Sequence, residues 1–397
     1  MLNAALILSS NNRNVWDVSG VDRIRKQLNS LSIDNISEEL ATVPDEGETL
    51  VIDSNFLFEK KTLKCFLDSP SRFLLCPQSK IFAATKCSYI DIKEAVEKIG
   101  KKNTESKLSP IAVTPAELDG FDNDLRKTKP PLLLHQGDYT TRQLESILYG
   151  NSYKGVTDFV TKWWWPIPAR LIVKQCSTMG ITPNHVTIFG VTLVALSTYL
   201  FINGYFLSGL LSGWLMTLLD TVDGKLARVT EQSSKIGHVL DHGMDIIHPP
   251  IWYFSWSLGL ASTTNLWGVD LESLSNIVIG TYIAGRVIEG AFEGLATCSM
   301  FAWRPFDAYF RLFVARRNPC LILLTIGAVL GQPELAFGTV VLWTAFCTVI
   351  LALRFLYAGT VRLGAGVLHS WLEDQLSAST KYPKAYKTFC ETKKAYE

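Results

Sequence analysis

The pattern of apolar and polar positions changes character near Trp163. Before it, apolar residues come in short groups among charges. After His185 they gather into long runs, and the 34 residues from Val186 to Leu219 carry no charge. A helix needs about 20 mainly apolar residues to cross the hydrocarbon core of a bilayer. That stretch is therefore too long for one span, and it divides at Asn203-Gly204 into helices over about 184–202 and 205–228. Further runs predict spans over about 237–261, kinked at "HPP" (His248 to Pro250), and over about 274–301, then a short one in "NPCLILLTIGAVLG" and a sixth in "LAFGTVVLWTAFCTVILALRFLY". The expected arrangement is an all-α domain of six transmembrane helices over 181–360, followed by a polar, basic and mobile cytosolic tail over 361–397.

Residues 1–150 alternate strand-like and helix-like segments, the pattern of an α/β domain. Between the two modules, "DFVTKWWWPIPARLIVKQCSTM" sets three consecutive Trp among Lys162, Arg170 and Lys174. This mixture predicts an amphipathic helix over 155–180 lying in the membrane interface.

Charge adds orientation. The chain of 397 residues is 48% hydrophobic with a formal net charge of +1, and no nucleic-acid signature or internal repeat stands out. Connections on one side of the expected bundle carry Lys225, Arg228 and Lys235, then Arg304, Arg311, Arg316 and Arg317. The opposite turns, near Asn203, Ser262 to Glu272 and Gly331 to Glu334, contain no Lys or Arg. By the positive-inside rule the basic side faces the cytosol. "MLNAALILSS" is too short and lacks the basic leader of a signal peptide, so the first domain is expected on that side too. The eight cysteines show no C-x-x-C pair or metal-ligand spacing, which reads as free thiols in a reducing compartment.

Directly behind the uncharged run comes "DTVDGKLARVTEQSSKIGHVLDHGMD". Asp220, Asp223, Gly224, Ala227 and Arg228 lie at the basic-side end of the second span, and Gly237, Asp241 and Asp245 at the start of the third. Spacings of three, four and eight keep each set on one helical face. If the two helices pack antiparallel, four carboxylates converge near the membrane surface. Such a cluster repels itself unless cations neutralise it, and hard oxygen ligands suit Mg²⁺ or Mn²⁺. Gly224 and Gly237 would leave room for a bulky group at the helix surface, and Arg228 can clamp a phosphate oxygen.

The pattern D-x-x-D-G-x-x-A-R-x8-G-x3-D-x3-D resembles, without departure, the signature of the CDP-alcohol phosphotransferases, also called CDP-alcohol phosphatidyltransferases. The resemblance implies a six-helix membrane enzyme that moves a substituted phosphate from a CDP-alcohol to a second alcohol and releases CMP. It implies two divalent ions, Mg²⁺ or Mn²⁺, on Asp220, Asp223, Asp241 and Asp245, and a CDP site lined by Gly224, Ala227, Arg228 and Gly237. A two-metal clamp of this kind stabilises both the attacked phosphoryl group and the departing oxygen. Asp245 is the candidate base for the acceptor hydroxyl. "GITPNHVT", Gly180 to Thr187, is similar to the family's T-P-N-x-x-T segment, in which Pro183 starts the helix and Asn184 faces the nucleotide diphosphate.

The acceptor is less defined. Arg286, Glu289 and Glu293 fall on one face of the fourth span, either as an ion pair between helices or as contacts to a polar acceptor. In "WRPFDAYFRLFVARRNP", Arg311, Arg316 and Arg317 are candidates for a phosphate on that acceptor, or for positive-inside charge against anionic lipid. The segment resembles its counterpart in family members that handle inositol phosphates, particularly those fused to a nucleotidyltransferase. The donor is open between CDP-diacylglycerol, which is favoured, and a soluble CDP-polyol such as CDP-inositol used with an inositol phosphate. A catalytically inactive membrane scaffold is the third reading, and a homodimer through the membrane domain is a further expectation.

The first domain is similar to a sugar-phosphate nucleotidyltransferase. "AALILSSNNRNVWDVSGVDRIRKQLNSL" matches its first strand, turn and helix, and "ETLVIDSNF" the strand that ends in a metal-binding acid, here Asp53. The glycine-rich phosphate loop is replaced by "SSNNRNV", so Asn11 and Arg13 carry side chains where phosphates would lie. The domain is expected to keep that fold without cytidylyltransferase activity.

Overall fold

A mixed six-stranded sheet forms the N-terminal domain, in the spatial order Ile36–Ser37, Leu2–Leu8, Glu48–Asp53, Ile81–Ser88, Phe73–Cys76 and Ala112–Val113. The first three strands are parallel, and Ile81–Ser88 runs antiparallel to both its neighbours. Both faces are covered, which is why "TLVID" is buried throughout. Leu50 and Ile52 pack with Ile24 and Leu28 of α1 (Gly20–Ser30) and with Leu63 and Phe66 of α2 (Lys60–Asp68). Val51 faces Ile92 and Ala95 of α3 (Ile92–Lys98) on the other side. The computed structural model describes residues 2–9, 13–45, 47–102, 112–232 and 235–391, without the side chains at 3, 235, 236, 238–242 and 365.

The α/β expectation for the first domain and the helical expectation for the rest are both met. Helix α4 (Thr141–Asn151) starts at a capping box in which Thr140 and Gln143 satisfy each other's backbone N–H. One π-type turn over Val160–Trp164 then leads into α5 (Pro166–Thr178). Ala169, Val173 and Cys176 of α5 are buried, whereas Trp164, Ile167 and Leu171 are exposed along one side. The basic residues of the segment turn to the protein: Lys174 pairs with Glu145 at 2.8 Å, and Lys162 Nζ donates to the Gly155 carbonyl at 2.8 Å.

Seven helices follow: α6 (Pro183–Ile202), α7 (Phe206–Val229), α8 (Lys235–Leu258), α9 (Leu271–Glu293), α10 (Pro305–Phe313), α11 (Arg317–Val329) and α12 (Pro333–Ala365). The break at Asn203-Gly204 falls where the sequence places it, with Gly204 at φ +74°. A Cβ added to Gly259 would lie 1.9 Å from the Phe201 carbonyl oxygen, so the end of α8 backs directly onto that turn. Trp256 Nε1 donates to the Pro333 carbonyl at 3.1 Å, and the Trp267 ring fills the space beside Gly338. The three turns that lack Lys and Arg are thus gathered at one end of the bundle.

Among the described residues, three helical segments are long and apolar enough to cross a membrane: Pro183–Ile202, Pro305–Val329 and Pro333–Gly364. Helices α7, α8 and α9 have 24, 24 and 23 residues but carry clusters of ionisable groups, in α7 confined to the stretch from Asp220 onward. Pro249 and Pro250 lie inside α8. Helix α9 ends at Glu293, before the expected 301, because the chain leaves it to pair Thr297 N with the Leu368 carbonyl at 3.0 Å. Helix α10 was not expected as a separate element; Pro305 starts it and the Val314–Arg316 bend ends it.

The tail also departs from expectation. Instead of a mobile polar segment, residues up to 391 form α13 (Gln375–Lys381) and α14 (Pro383–Phe389) and pack back on the protein. Phe389 and Cys390 are buried, and the Phe389 ring meets Tyr309 edge-on at 5.1 Å. All eight cysteines are free, as the lack of motif spacing suggests.

Candidate active site

Helix α7 delivers Asp220 and Asp223 one turn apart, and Asp245 stands three turns into α8. Arg317, the first residue of α11, reaches between the two helices. Its Nη2 lies 2.6 Å from Asp220 Oδ2 and its Nη1 2.8 Å from Asp245 Oδ1. Two carboxylates from different helices therefore share one cation. Asp223 is buried, and its Oδ2 accepts a hydrogen bond from Thr187 Oγ1 on α6 at 2.7 Å. Three helices and the start of a fourth thus converge on the acids at the basic end of the bundle.

Asp241 belongs to α8, but its side chain lies outside the described residues. Among the described residues, no three His, Cys, Asp or Glu side chains are grouped closely enough to hold a metal ion. The chemistry of the described acids nonetheless fits a divalent cation. Asp220 and Asp245 already place oxygens on either side of one positive group, and carboxylate oxygens are the donors Mg²⁺ and Mn²⁺ prefer.

The rest of the motif lies on the same helices as these acids. A Cβ on Gly224 would come within 3.0 Å of Arg228 Nη2, so the glycine clears the path of the arginine one turn later. The Ala227 carbonyl accepts from Gln232 N at 2.9 Å, closing the end of α7. Gly237 lies in the first turn of α8, and Asn184 is the exposed second residue of α6, one turn before Thr187. Lys225 points away from the acids: it is buried, donates to the Ser152 carbonyl at 2.9 Å and sits 3.0 Å above the Tyr153 ring.

The four arginines proposed for an acceptor divide into two groups. Arg286 and Arg316 both pair with Glu289, and the guanidiniums of Arg311 and Arg316 each lie 5.5 Å from the centre of the Phe301 ring. Nε of Arg286, Arg311 and Arg316 and Nη1 of Arg311 are buried without a hydrogen-bond partner among the described residues. Arg317 belongs instead with Asp220 and Asp245.

Two contributors were not singled out in the sequence. Thr187 was visible only as the last letter of T-P-N-x-x-T, and its bond to Asp223 spans 36 positions. Asn318 donates to Asp158 Oδ1 at 2.9 Å, anchoring the start of α11, and with it Arg317, to the turn before α5. No spacing signal could have linked those two residues.

In the N-terminal domain, Asp53 ends its strand as expected. It is buried, accepts from Asn55 N at 2.9 Å, and burial pushes its carboxyl above the ordinary range. Asn11 lies outside the described residues. Arg13 is committed to structure: it donates to the carbonyls of Gln136 and Tyr139 at 2.7 and 2.8 Å and to Thr141 Oγ1 at 3.0 Å.

The family model described as CDP-alcohol phosphatidyltransferase matches residues 180–371. An archaetidylinositol phosphate synthase from Pyrococcus horikoshii is 36% identical over 95 residues, covering 23% of this chain and 49% of the relative, so the chain spans about half the length of that curated protein. Crystal structures of the Mycobacterium tuberculosis phosphatidylinositol phosphate synthase PgsA1 are similar at low overall superposition. The apo form has a TM-score of 0.35 and 23% identity and covers 47% of this chain and 93% of that one; the complex with manganese and citrate has a TM-score of 0.35 and 22% identity and covers 47% and 87%.

Proposed function

We propose that this chain, whose residues 180–371 match the CDP-alcohol phosphatidyltransferase family, transfers a substituted phosphate from a CDP-alcohol to the hydroxyl of a polar acceptor alcohol and releases CMP. CDP-diacylglycerol is the favoured donor, which places the reaction in phospholipid biosynthesis. The observation that carries this reading is the convergence of Asp220 and Asp245 on Arg317, with Asp223 held by Thr187.

Asp220, Asp223, Asp241 and Asp245 would hold two Mg²⁺ or Mn²⁺ ions, which when bound neutralise the diphosphate and the departing CMP oxygen. Asn184, Gly224, Ala227, Arg228 and Gly237 line the CDP side. The acceptor oxygen bonds to phosphorus as the phosphorus–oxygen bond to CMP breaks, and the hydroxyl proton passes to Asp245. That carboxylate is the more open of the two on Arg317, with a side-chain exposure of 46% against 22% for Asp220.

Arg286, Arg311 and Arg316 carry buried N–H groups that an anionic acceptor would satisfy. The Pyrococcus relative is an archaetidylinositol phosphate synthase, and that likeness directs the choice of acceptor to an inositol phosphate. The second reading uses a soluble CDP-polyol such as CDP-inositol with that acceptor; what favours it is the α/β domain, which resembles nucleotidyltransferases. We read this domain as nucleotidyltransferase-like but inactive, because Arg13 stands where the sequence has lost the glycine-rich loop and is committed to the Gln136 and Tyr139 carbonyls.

Helices α6 to α9, α11 and α12 are assigned as six spans with the basic end and the N-terminal domain in the cytosol. Helix α5 is assigned to the interface, with Trp164, Ile167 and Leu171 toward the acyl chains. Pairing of two membrane domains is expected and is read by sedimentation in detergent. The deciding test is CMP release by the purified protein with Mg²⁺, using CDP-diacylglycerol and CDP-inositol each against glycerol 3-phosphate, inositol and inositol phosphate. Release no greater than in excess chelator for every combination refutes the proposal and leaves the inactive scaffold.

A further inference from the structure

Helix α7 ends in a left-handed turn of the Schellman kind: Gln232 N donates to the Ala227 carbonyl at 2.9 Å, the long bond of that motif, after Thr230 N has made the last ordinary helical bond to the Leu226 carbonyl at 3.0 Å. The left-handed position of such a turn is ordinarily glycine, because any Cβ is crowded there. Here it is Glu231, at φ +52°. A residue held in a disfavoured backbone conformation points to a demand on its side chain.

That demand comes from the N-terminal domain. Glu231 Oε1 accepts from Gln27 Nε2 at 2.8 Å and lies 3.7 Å from Arg23 Nη1, while Lys26 Nζ donates to the Thr230 carbonyl at 3.1 Å. Arg23, Lys26 and Gln27 are spaced three and four apart, one face of α1. Arg23 and Gln27 are themselves fixed, Arg23 by the Val15 carbonyl at 2.8 Å and Gln27 by the Phe58 carbonyl at 3.0 Å. The α1 face is therefore a rigid socket, and the turn that leaves α7 is the part inserted into it. The same helix end carries Asp220, Asp223 and Arg228, and the inserted turn leads into the helix of Asp245.

We propose that α1 of the N-terminal domain clamps the α7–α8 turn through Glu231, and that this clamp sets the distance between the acids of α7 and those of α8. Glu231 is a positioning residue, and holding the metal and CDP site in register is the task of a domain whose Arg13 is committed to structural bonds. The inference rests on the reading of Asp220, Asp223, Asp241 and Asp245 as the divalent-cation site.

The test uses the full chain in lipid nanodiscs. Glu231→Gly removes the contacts yet relieves the left-handed backbone, so it is the variant that folds most readily; Glu231→Gln keeps an acceptor for Gln27. Mn²⁺ binding without substrate, followed by electron paramagnetic resonance, is expected to weaken roughly ten-fold in Glu231→Gly and to be largely restored in Glu231→Gln. Amide exchange over 220–245 should quicken in Glu231→Gly and not in Glu231→Gln. Neither readout needs turnover, so an inactive wild type that still shows both effects removes the transfer reaction and keeps the clamp. Wild-type Mn²⁺ affinity and exchange in Glu231→Gly overturn the clamp, whether or not the protein releases CMP.

Discussion

Arg317 and Asp220 face each other across 2.6 Å, an arginine at the start of α11 against the first carboxylate of the motif, and the same guanidinium reaches Asp245 with its other nitrogen. The pair lies at the edge of the protein rather than deep within it, with side-chain exposures of 13% and 22%. Replacing Arg317 by Ala leaves two acids near each other without their shared cation. The expected cost is about 2 kcal/mol of stability, below the full loss for a buried pair because of that exposure. Added Mg²⁺ should close the gap to wild type by binding the freed carboxylates. Thermal melting in nanodiscs across a Mg²⁺ titration checks this; a deficit that does not shrink with Mg²⁺ separates Arg317 from the cation site.

Thr187 positions Asp223. Thr187→Val keeps the shape and loses the donor, so transfer should fall by roughly ten-fold or more through weaker metal affinity. Thr187→Ser restores the hydroxyl and most of the rate. The half-saturating Mg²⁺ concentration in the CMP-release assay is the measurement, and equal values for Val and wild type would make the bond incidental.

The arginines should divide by substrate. Arg311→Ala and Arg316→Ala each remove a charge-assisted contact worth about 1.5 to 3 kcal/mol and should raise KM for the acceptor with little change for the CDP substrate. Arg228→Ala should do the reverse. Steady-state kinetics with each substrate varied in turn decides; unaltered acceptor kinetics in both Arg311→Ala and Arg316→Ala would make that cluster topological.

Asp223→Asn should abolish metal-dependent transfer while the protein stays folded, because it removes one of several mutually repelling carboxylates. The paired readouts are CMP release and thermal melting in excess chelator. Substantial turnover in this variant removes the two-metal reading.

Lys127 gives a pH dependence. It is buried, its Nζ donates to the carbonyls of Asn151 and Tyr153, and burial pushes its pKa down to about 7. Between that value and the ordinary one for lysine, the unfolded chain binds a proton that the folded protein has released. Stability from this group therefore rises with pH across that window, with a slope approaching about 1.4 kcal/mol per pH unit. Lys127→Met should flatten the rise. Melting of both proteins from about pH 7 to about pH 9 tests it, and parallel curves would contradict the assignment.

The sequence was most legible where a local rule decided the outcome. Asn203-Gly204 broke an apolar run because glycine alone accepts that turn without strain. The acids were legible because their spacing repeats with the helix. The partners of those acids were not: Arg317 is 97 positions from Asp220, and Thr187 is 36 from Asp223. Local pattern also misjudged the tail, whose lysines and tyrosines look solvated although Ala385 and Phe389 form a buried seam. Glu231 carries no local signal at all, since neither its backbone sign nor its partners on α1 can be read from neighbouring residues.

That seam has a consequence for assembly. A Cβ on Gly155 would lie 2.5 Å from both the Arg126 and the Phe389 carbonyl oxygens, so three segments meet at a point where no side chain fits. Gly155 precedes every membrane helix and Phe389 follows them all. Domains generally fold as units in the order they emerge from the ribosome, and the α/β domain can therefore form early while this junction waits until the helical bundle has been threaded. Closure at Gly155 cannot precede synthesis of Phe389, and a chain stalled before α14 would hold a completed sheet against a bundle still missing one wall of its seat.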